Sequence, residues 1–399
     1  MIKKIYCRVY QAIFKIANYF IGYRTPEYIE GAGCIYQLPK QIKDKNIKKV
    51  LLVTDEGLMK IGLADGLIQA MKDEGLDFEV YSNIKPNPTD INVLEGYKIY
   101  SEKHCEAIIA FGGGSPMDCA KAILAKNARP NKDISQLQGI LKVLKRTDPF
   151  WAVPTTSGTG SETTLAAVIT IASTHHKASI NDPNLIPDYA VLDPELTKGL
   201  PPYITATTGM DALCHAVESY TNHTYNTKEE DDRAKLAVKL IYQYIYRAYK
   251  DGNDMEARQQ MQIAAFNAGR SFTRGCVGYV HAIGHTLGGL YGVAHGTAMS
   301  VILPHVMRQF GEAVYDKLAD LADECEIKGN NNKEKAEKFI VWIEETNEKM
   351  NIPKGFDCIK QEDIPQIIKW ADKEANPIYP VPVIWYKEDF EKLIKKVKI

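Results

Sequence analysis

Between Lys49 and Leu192 short apolar runs alternate with turns rich in glycine, proline, serine or threonine and with stretches of helical periodicity. The apolar runs are KVLLVT (49–54), DFEVY (77–81), EAIIAF (106–111), FWAV (150–153), AAVITIA (166–172) and YAVL (189–192). Helical patterns follow the first run to about Asp73 and the second to about Lys103. Strands separated by helices are too far apart in sequence for tight hairpins, so the alternation predicts parallel pairing with helices on the faces. From about Thr205 the strand signals fade and helical periodicity takes over, at 229–249, 255–270, 312–325, 334–350 and 387–397. The change falls at Gly199-Leu200-Pro201-Pro202, where a glycine and two prolines punctuate either kind of element. The expected organisation is an N-terminal helix over 1–24, an α/β domain over 25–200 and an all-helical domain over 201–399.

Composition narrows the ligand. Lys and Arg total 49 against 50 for Asp and Glu, so there is no bulk basic excess and no nucleic-acid partner is expected. Hydrophobic residues make up 45% and charged residues 25%, which excludes a disordered or low-complexity chain and favours a small molecule at a local site. The 8 cysteines are scattered without a C-x-x-C pair, which argues against a disulfide scaffold or zinc finger and for free thiols in a reducing cytoplasm. Cys119 and Cys214 read as small buried fillers.

Residues 3–21 form a separate feature. Apolar residues fall at helical spacing, Lys3, Lys4, Arg8 and Lys15 are basic, and no acid occurs before Glu27. Two readings stand: a helix whose apolar stripe packs on the body or on a partner subunit, the more ordinary outcome, and a basic amphipathic helix that contacts an anionic membrane surface.

Two strand-end loops carry ligand chemistry. GGGSPMDCAK (112–121) follows an apolar strand and opens a helix, with Ser115 suited to the N-cap, Pro116 to the first turn and Asp118 to a capping box. Glycine backbone at a helix N-terminus suits an anion, and a plain βα turn is the alternative. PTTSGTGSE (154–162) is a second such loop, rich in hydroxyls, whose alternative is an ordinary solvated turn. Two such loops on one sheet point to a shared nucleotide. Asp55, at the end of an early strand, suits either a ribose hydroxyl, which favours NAD over NADP, or a helix N-cap.

The helical half holds a metal pattern. In GMDALCHAVE (209–218), Asp211 and His215 lie four apart on one helix face. In HAIGHTLGGLYGVAH (281–295), His281 and His285 are also four apart and His295 follows a glycine-rich bend. A carboxylate with imidazoles suits Fe²⁺ or Zn²⁺. Four candidates exceed what an open catalytic site needs, and spacing does not say which late histidine stands apart.

Together VTDEG (53–57), PNPT (86–89), GGGSPMDCAK, PTTSGTGSE, LDPELT (192–197), GMDALCHAVE and HAIGHTLGGLYGVAHG resemble the iron-containing (group III) alcohol dehydrogenases over about residues 25–395. The resemblance implies an α/β N-terminal dinucleotide-binding domain plus an all-α C-terminal domain, a dehydroquinate synthase-like two-domain architecture with the site in the interdomain cleft. It implies metal ligands Asp211, His215, His281 and His295, and leaves His285 as a non-ligand catalytic histidine near nicotinamide and substrate. It implies NAD contacts at Asp55, Asn87, Gly113, Gly114, Ser115, Thr155, Thr156 and Lys177, a small alcohol or aldehyde substrate, and a homo-oligomer, dimer or larger. A zinc-dependent glycerol or polyol dehydrogenase is the alternative within the superfamily. Further off stand a 3-dehydroquinate synthase-like lyase and a non-redox metal hydrolase, the last leaving both strand-end loops without a task.

Overall fold

The computed structural model describes every residue except Met1, Thr174, His175 and His223; of His176, Lys177 and Ala178 it describes the backbone alone. The chain forms two compact units: Gly22–Gly199, and Met1–Ile21 with Leu200–Ile399.

In the first unit six strands make one parallel sheet: β1 (Glu27–Glu30), β2 (Lys49–Val53), β3 (Asp77–Tyr81), β4 (Ala107–Gly112), β6 (Phe150–Pro154) and β9 (Tyr189–Leu192). Their spatial order is β1-β9-β6-β4-β2-β3. Alternate residues point to opposite faces, and both faces are covered. Leu51, Val53, Ile108 and Ala110 join a core with α5 (Asp90–Glu102) and α6 (Gly114–Ala128). Val50, Leu52, Ala107 and Ile109 join another with α2 (Leu38–Asp44) and α4 (Asp65–Glu74). This two-sided burial is why the strands read as continuous apolar runs rather than alternating ones. Chain direction reverses at the centre: β2 leads outward to β3, whereas β4, beside β2, leads the other way to β6. The crevice at the carboxyl ends between β2 and β4 is the switch point where open α/β sheets bind ligands.

Two local readings are corrected. The helix after β2 is broken into α3 (Glu56–Lys60) and α4, because the chain turns at Gly62 with φ +70°. The 166–172 run does form a strand, β7 (Ala166–Ile171), but outside the parallel sheet. It pairs antiparallel with β8 (His176–Asn181), which also pairs β5 (Gly139–Ile140) after the short α7 (Ile134–Leu137). A run this short carries no information about its partner.

The second unit is helical: α8 (Pro202–Thr221), α9 (Lys228–Lys250), α10 (Met255–Gly275), α11 (Tyr279–Tyr291), α12 (His295–Phe310), α13 (Tyr315–Glu324), α14 (Asn332–Lys349), α15 (Ile364–Ala375) and α16 (Lys387–Val397). Helix α8 packs against α9, α10 and α12, and every residue from Gly209 to Thr221 is buried. The N-terminal helix α1 (Ile2–Tyr19) joins this unit with Cys7, Gln11 and Asn18 buried and Phe14 against Tyr225, while Ile5, Val9, Ile13 and Ile16 of its apolar stripe stay exposed and do not pack on the body. No described helix is long and apolar enough to cross a membrane.

Because both faces of β4 are sealed, Ile108→Ala and Ile109→Ala are expected to cost alike, each about 2–5 kcal/mol. Urea midpoints at unchanged m-value measure this; a face open to water would leave one of the pair nearly neutral.

Candidate functional site

Two groups of functional side chains form, one in each unit. In the α/β unit, Asp55, Asn87, Gly113–Ser115 and Thr155–Thr156 stand after β2, β3, β4 and β6. Those four strands are adjacent in the sheet, so these positions share its carboxyl edge. The backbone N–H of Asn87, at φ +59°, donates to Ser115 Oγ at 3.3 Å, and the Thr155 N–H donates to the Gly112 carbonyl at 3.0 Å. Gly113 and Gly114 lie against the other loop: a Cβ on Gly113 would sit 3.4 Å from Thr156 Oγ1, and one on Gly114 3.2 Å from Thr159 Cγ2. The loops thus meet closely, with a side chain at Gly114 crowding Thr159 and one at Gly113 only touching Thr156, and N–H groups stand at the start of α6.

The helix cap departs from expectation. Helix α6 begins at Gly114 with Gly113 as its N-cap, so Ser115 lies inside the first turn and its hydroxyl accepts from Asn87 instead. Asp118 does not close a capping box. Its carboxylate accepts from Ser161 Oγ at 2.9 Å and from the Val168 N–H at 3.2 Å, tying the second loop to α6. Lys121, fully buried one turn on, reinforces the tie by donating to Ser161 Oγ, Thr164 Oγ1 and the Ala166 carbonyl at 2.8–3.0 Å. Burial pushes that ammonium down to about 8, against the pull of Asp118. Asp55 caps α3, one oxygen accepting from the Leu58 N–H at 3.0 Å. Thr155 is buried, Thr156 half-buried, and the Lys177 side chain lies outside the described residues. Cys119 and Cys214 are fully buried, with thiols raised by desolvation, as fillers should be.

In the helical unit, Asp211 and His215 project from one face of α8, His281 and His285 from one face of α11, and His295 opens α12. The left-handed turn at Gly292, φ +69°, ends α11 and sends the chain back. The next contact depends on a missing side chain: a Cβ on Gly296 would meet the Thr207 carbonyl oxygen at 2.4 Å, a backbone atom that cannot swing aside. Glycine there lets α12 start against α8, and His295 Nε2 reaches 3.2 Å from Asp211 Oδ1. His281 Nε2 lies 3.9 Å from the same oxygen. Donor atoms of Asp211, His215, His281 and His295 all lie within 4.8 Å of one another, whereas His285 falls outside the group. Four donors on one tetrahedral ion stand about 3.4 Å apart, so the spacing fits a single cation.

The electrostatics fit one as well. Asp211 Oδ1, His215 Nδ1 and His281 Nε2 are buried and make no hydrogen bond among the described residues, a costly arrangement of about 1–3 kcal/mol per atom unless something else binds them. Burial pushes His215 down to about 3 and His281 well below the usual imidazole range, so both present bare lone pairs. Burial alone would raise the Asp211 carboxyl, but the facing histidines, His215 foremost, outweigh it and hold the group ionised. Phe272 stacks on the His215 ring at 4.1 Å and fixes its plane.

Two acids orient the histidines. Glu218, fully buried, accepts from His281 Nδ1 at 2.6 Å and from the Val280 N–H at 2.8 Å, which turns Nε2 of His281 toward Asp211. Burial raises its carboxyl to about 7, against the backbone N–H groups that it accepts from. Glu374 on α15 accepts from His285 Nδ1 at 2.7 Å and from the Tyr379 hydroxyl at 3.1 Å. Sequence reading singled out neither acid. Glu218 had a signal, since 211, 215 and 218 share one helix face; Glu374 had none, lying 89 residues from its partner.

The chain and its fold are similar to those of known proteins. The family model for iron-containing alcohol dehydrogenase matches residues 25–194, and that for the C-terminal region of the Fe-containing alcohol dehydrogenase family matches residues 205–397. An NAD-dependent methanol dehydrogenase from Bacillus methanolicus is 36% identical over 364 residues, covering 90% of this chain and 94% of that one. A solved 1,3-propanediol oxidoreductase superposes with a TM-score of 0.90 at 33% identity, over 95% of this chain and 100% of the other. A sulfoacetaldehyde reductase from Bifidobacterium kashiwanohense, solved with NAD⁺, gives a TM-score of 0.84 at 27% identity over 95% and 98% of the two chains.

Glu218→Gln is expected to weaken metal binding by about 10–100-fold, because the acid orients and polarises His281. Anaerobic Fe²⁺ or Zn²⁺ titration measures it. Gly296→Ala, by pushing α12 off α8, is expected to weaken the same affinity at least as much.

Proposed function

This chain belongs to the iron-containing alcohol dehydrogenase family, and on that premise we propose that Asp211, His215, His281 and His295 hold its divalent iron while the strand-end loops of the α/β unit hold NAD. It is an NAD-dependent alcohol oxidoreductase, transferring hydride between an alcohol or aldehyde and NAD(H). The comparisons favour this over the zinc polyol and lyase alternatives. The observation that carries the metal assignment is the trio of buried donor atoms with no hydrogen bond among the described residues, Asp211 Oδ1, His215 Nδ1 and His281 Nε2. Bound iron would supply a Lewis acid beside the substrate oxygen, and NAD the hydride acceptor.

The chain's own residues take the other tasks. Gly113, Gly114 and Ser115 offer backbone N–H groups at a helix N-terminus to the cofactor phosphates. Asn87, Thr155, Thr156 and Lys177 complete the proposed contacts. One carboxylate oxygen of Asp55 is engaged by Leu58, and the other serves a ribose hydroxyl and repels a 2′-phosphate. Glu374 holds the Nδ1 proton of His285, so Nε2 is left to accept the proton that an alcohol loses on oxidation. The substrate is proposed to be a small primary alcohol or its aldehyde. Eight cysteines without a disulfide suit a reducing cytoplasm, and homo-oligomerisation is proposed on family resemblance alone.

Anaerobically purified protein is expected to carry iron and to oxidise NADH against an aldehyde panel. His281→Ala should lose both metal and turnover while the helical content persists; retention of metal at full turnover removes the ligand assignment. Asp55→Ala should narrow the preference for NADH over NADPH by roughly tenfold or more. An unchanged ratio of kcat/KM values removes the ribose role.

A further inference from the structure

Helix α1 is fastened to its unit by hydrogen bonds from Lys3, Arg8 and Gln11, with Phe14 edge-on against Tyr225 and Cys7 in the core. Gln11 Nε2 donates to the carbonyls of Pro377 and Tyr379 at 3.0 and 2.8 Å, and Arg8 to the Pro382 carbonyl at 2.8 Å. Lys3 donates to Asp372 at 2.6 Å and to the Trp385 carbonyl at 2.7 Å. These bonds set the rotation of the helix about its axis. At 100° per residue the side opposite Cys7, Gln11 and Asn18 carries Ile2, Ile5, Val9, Ile13, Ile16 and Phe20. Their exposures run from 54% at Val9 to 85% at Ile2. A helix rolled half a turn would bury this stripe, and burial is the usual driving force for helix docking. Here the hydrogen bonds hold the stripe outward, so it is an oriented apolar face and not a scatter of exposed side chains.

Its charge identifies what covers it. From Ile2 to Pro26 the chain has five cations, Lys3, Lys4, Arg8, Lys15 and Arg24, and no acid. Lys4 and Lys15 are exposed and lie on one side of the helix with Arg8, roughly 100–140° around the axis from the centre of the stripe. Lys4 and Arg8 line an open groove beside the helix. A second copy docked through this face would bring two such cationic helices together, with no acid on either to neutralise them. Anionic headgroups match the basic side and an acyl boundary matches the stripe. Tyr6 and Tyr19, both exposed, suit the headgroup level.

We propose that α1 docks this dehydrogenase on an anionic lipid bilayer, lying in the interface with Ile5, Val9, Ile13 and Ile16 toward the acyl region and Lys4 and Lys15 among the headgroups. The test uses the full chain in vesicle flotation, with phosphatidylcholine alone and with part of it replaced by phosphatidylglycerol. Binding to the anionic vesicles is expected to exceed that to the neutral ones by roughly tenfold or more and to fall with salt. The triple variant Ile5→Glu/Val9→Glu/Ile13→Glu should lose it, and Lys4→Glu/Lys15→Glu should weaken it by roughly thirtyfold or more. All five positions are exposed, so NADH-dependent turnover in solution should be unchanged and reports that each variant is folded. Equal binding to both vesicle types overturns the proposal, as does undiminished binding of the triple variant. So does absence of vesicle binding with a triple variant that sediments as a smaller species than the parent, which assigns the face to self-association.

Discussion

A carboxylate oxygen and two imidazole nitrogens lie buried in a helix bundle with no hydrogen bond from the described residues, and the surrounding helices are arranged to bring them there. Every residue of α8 from Gly209 to Thr221 is buried, so Asp211, His215 and Glu218 sit where burial of polar groups is most costly. The two-turn reach of α8, the four-residue spacing on α11, the turn at Gly292 and the bare backbone of Gly296 converge on the same point. A packed apolar core would gain from none of these. Glu218 continues the pattern: a fully buried acid used to hold one imidazole in one tautomer makes sense only if the other nitrogen has work to do.

The α/β unit meets a different requirement. It needs backbone N–H groups in fixed positions along one sheet edge, and it gains them by locking two loops to one helix. Asp118 and Lys121, one turn apart on α6, reach across to Ser161, Thr164, Ala166 and Val168. The loop after β6 is therefore rigid because of side chains that need never touch a ligand. Proteins with this architecture bear names that differ in substrate, methanol, 1,3-propanediol and sulfoacetaldehyde among them. Fold alone therefore does not fix the substrate, which depends on the side chains that line the site.

What was legible in the sequence follows from the range of the forces involved. Strands buried on both faces, such as Ala107–Gly112, announce themselves as unbroken apolar runs, and helices by period. The donors of α8 and α11 were legible because helical spacing fixes which side chains share a face. Contacts set by distant partners were not. Glu374 meets His285 only through tertiary packing, β7 pairs with a strand that its own residues do not specify, and Asp118 serves a distant loop instead of its own helix end. The orientation of α1 is the sharpest case. Its apolar stripe is plain in the sequence, but which side faces the protein depends on carbonyls near residue 380 that only the fold supplies.

The metal cluster is tested most directly by X-ray absorption on the Fe²⁺- or Zn²⁺-loaded protein, because Cys214, Glu218 and His281 also lie close enough together to hold an ion. The expected first shell contains only nitrogen and oxygen at about 2.0–2.2 Å, from Asp211, His215, His281 and His295. A sulfur scatterer near about 2.3 Å would contradict the account, since it would put Cys214 on the metal and Asp211 off it.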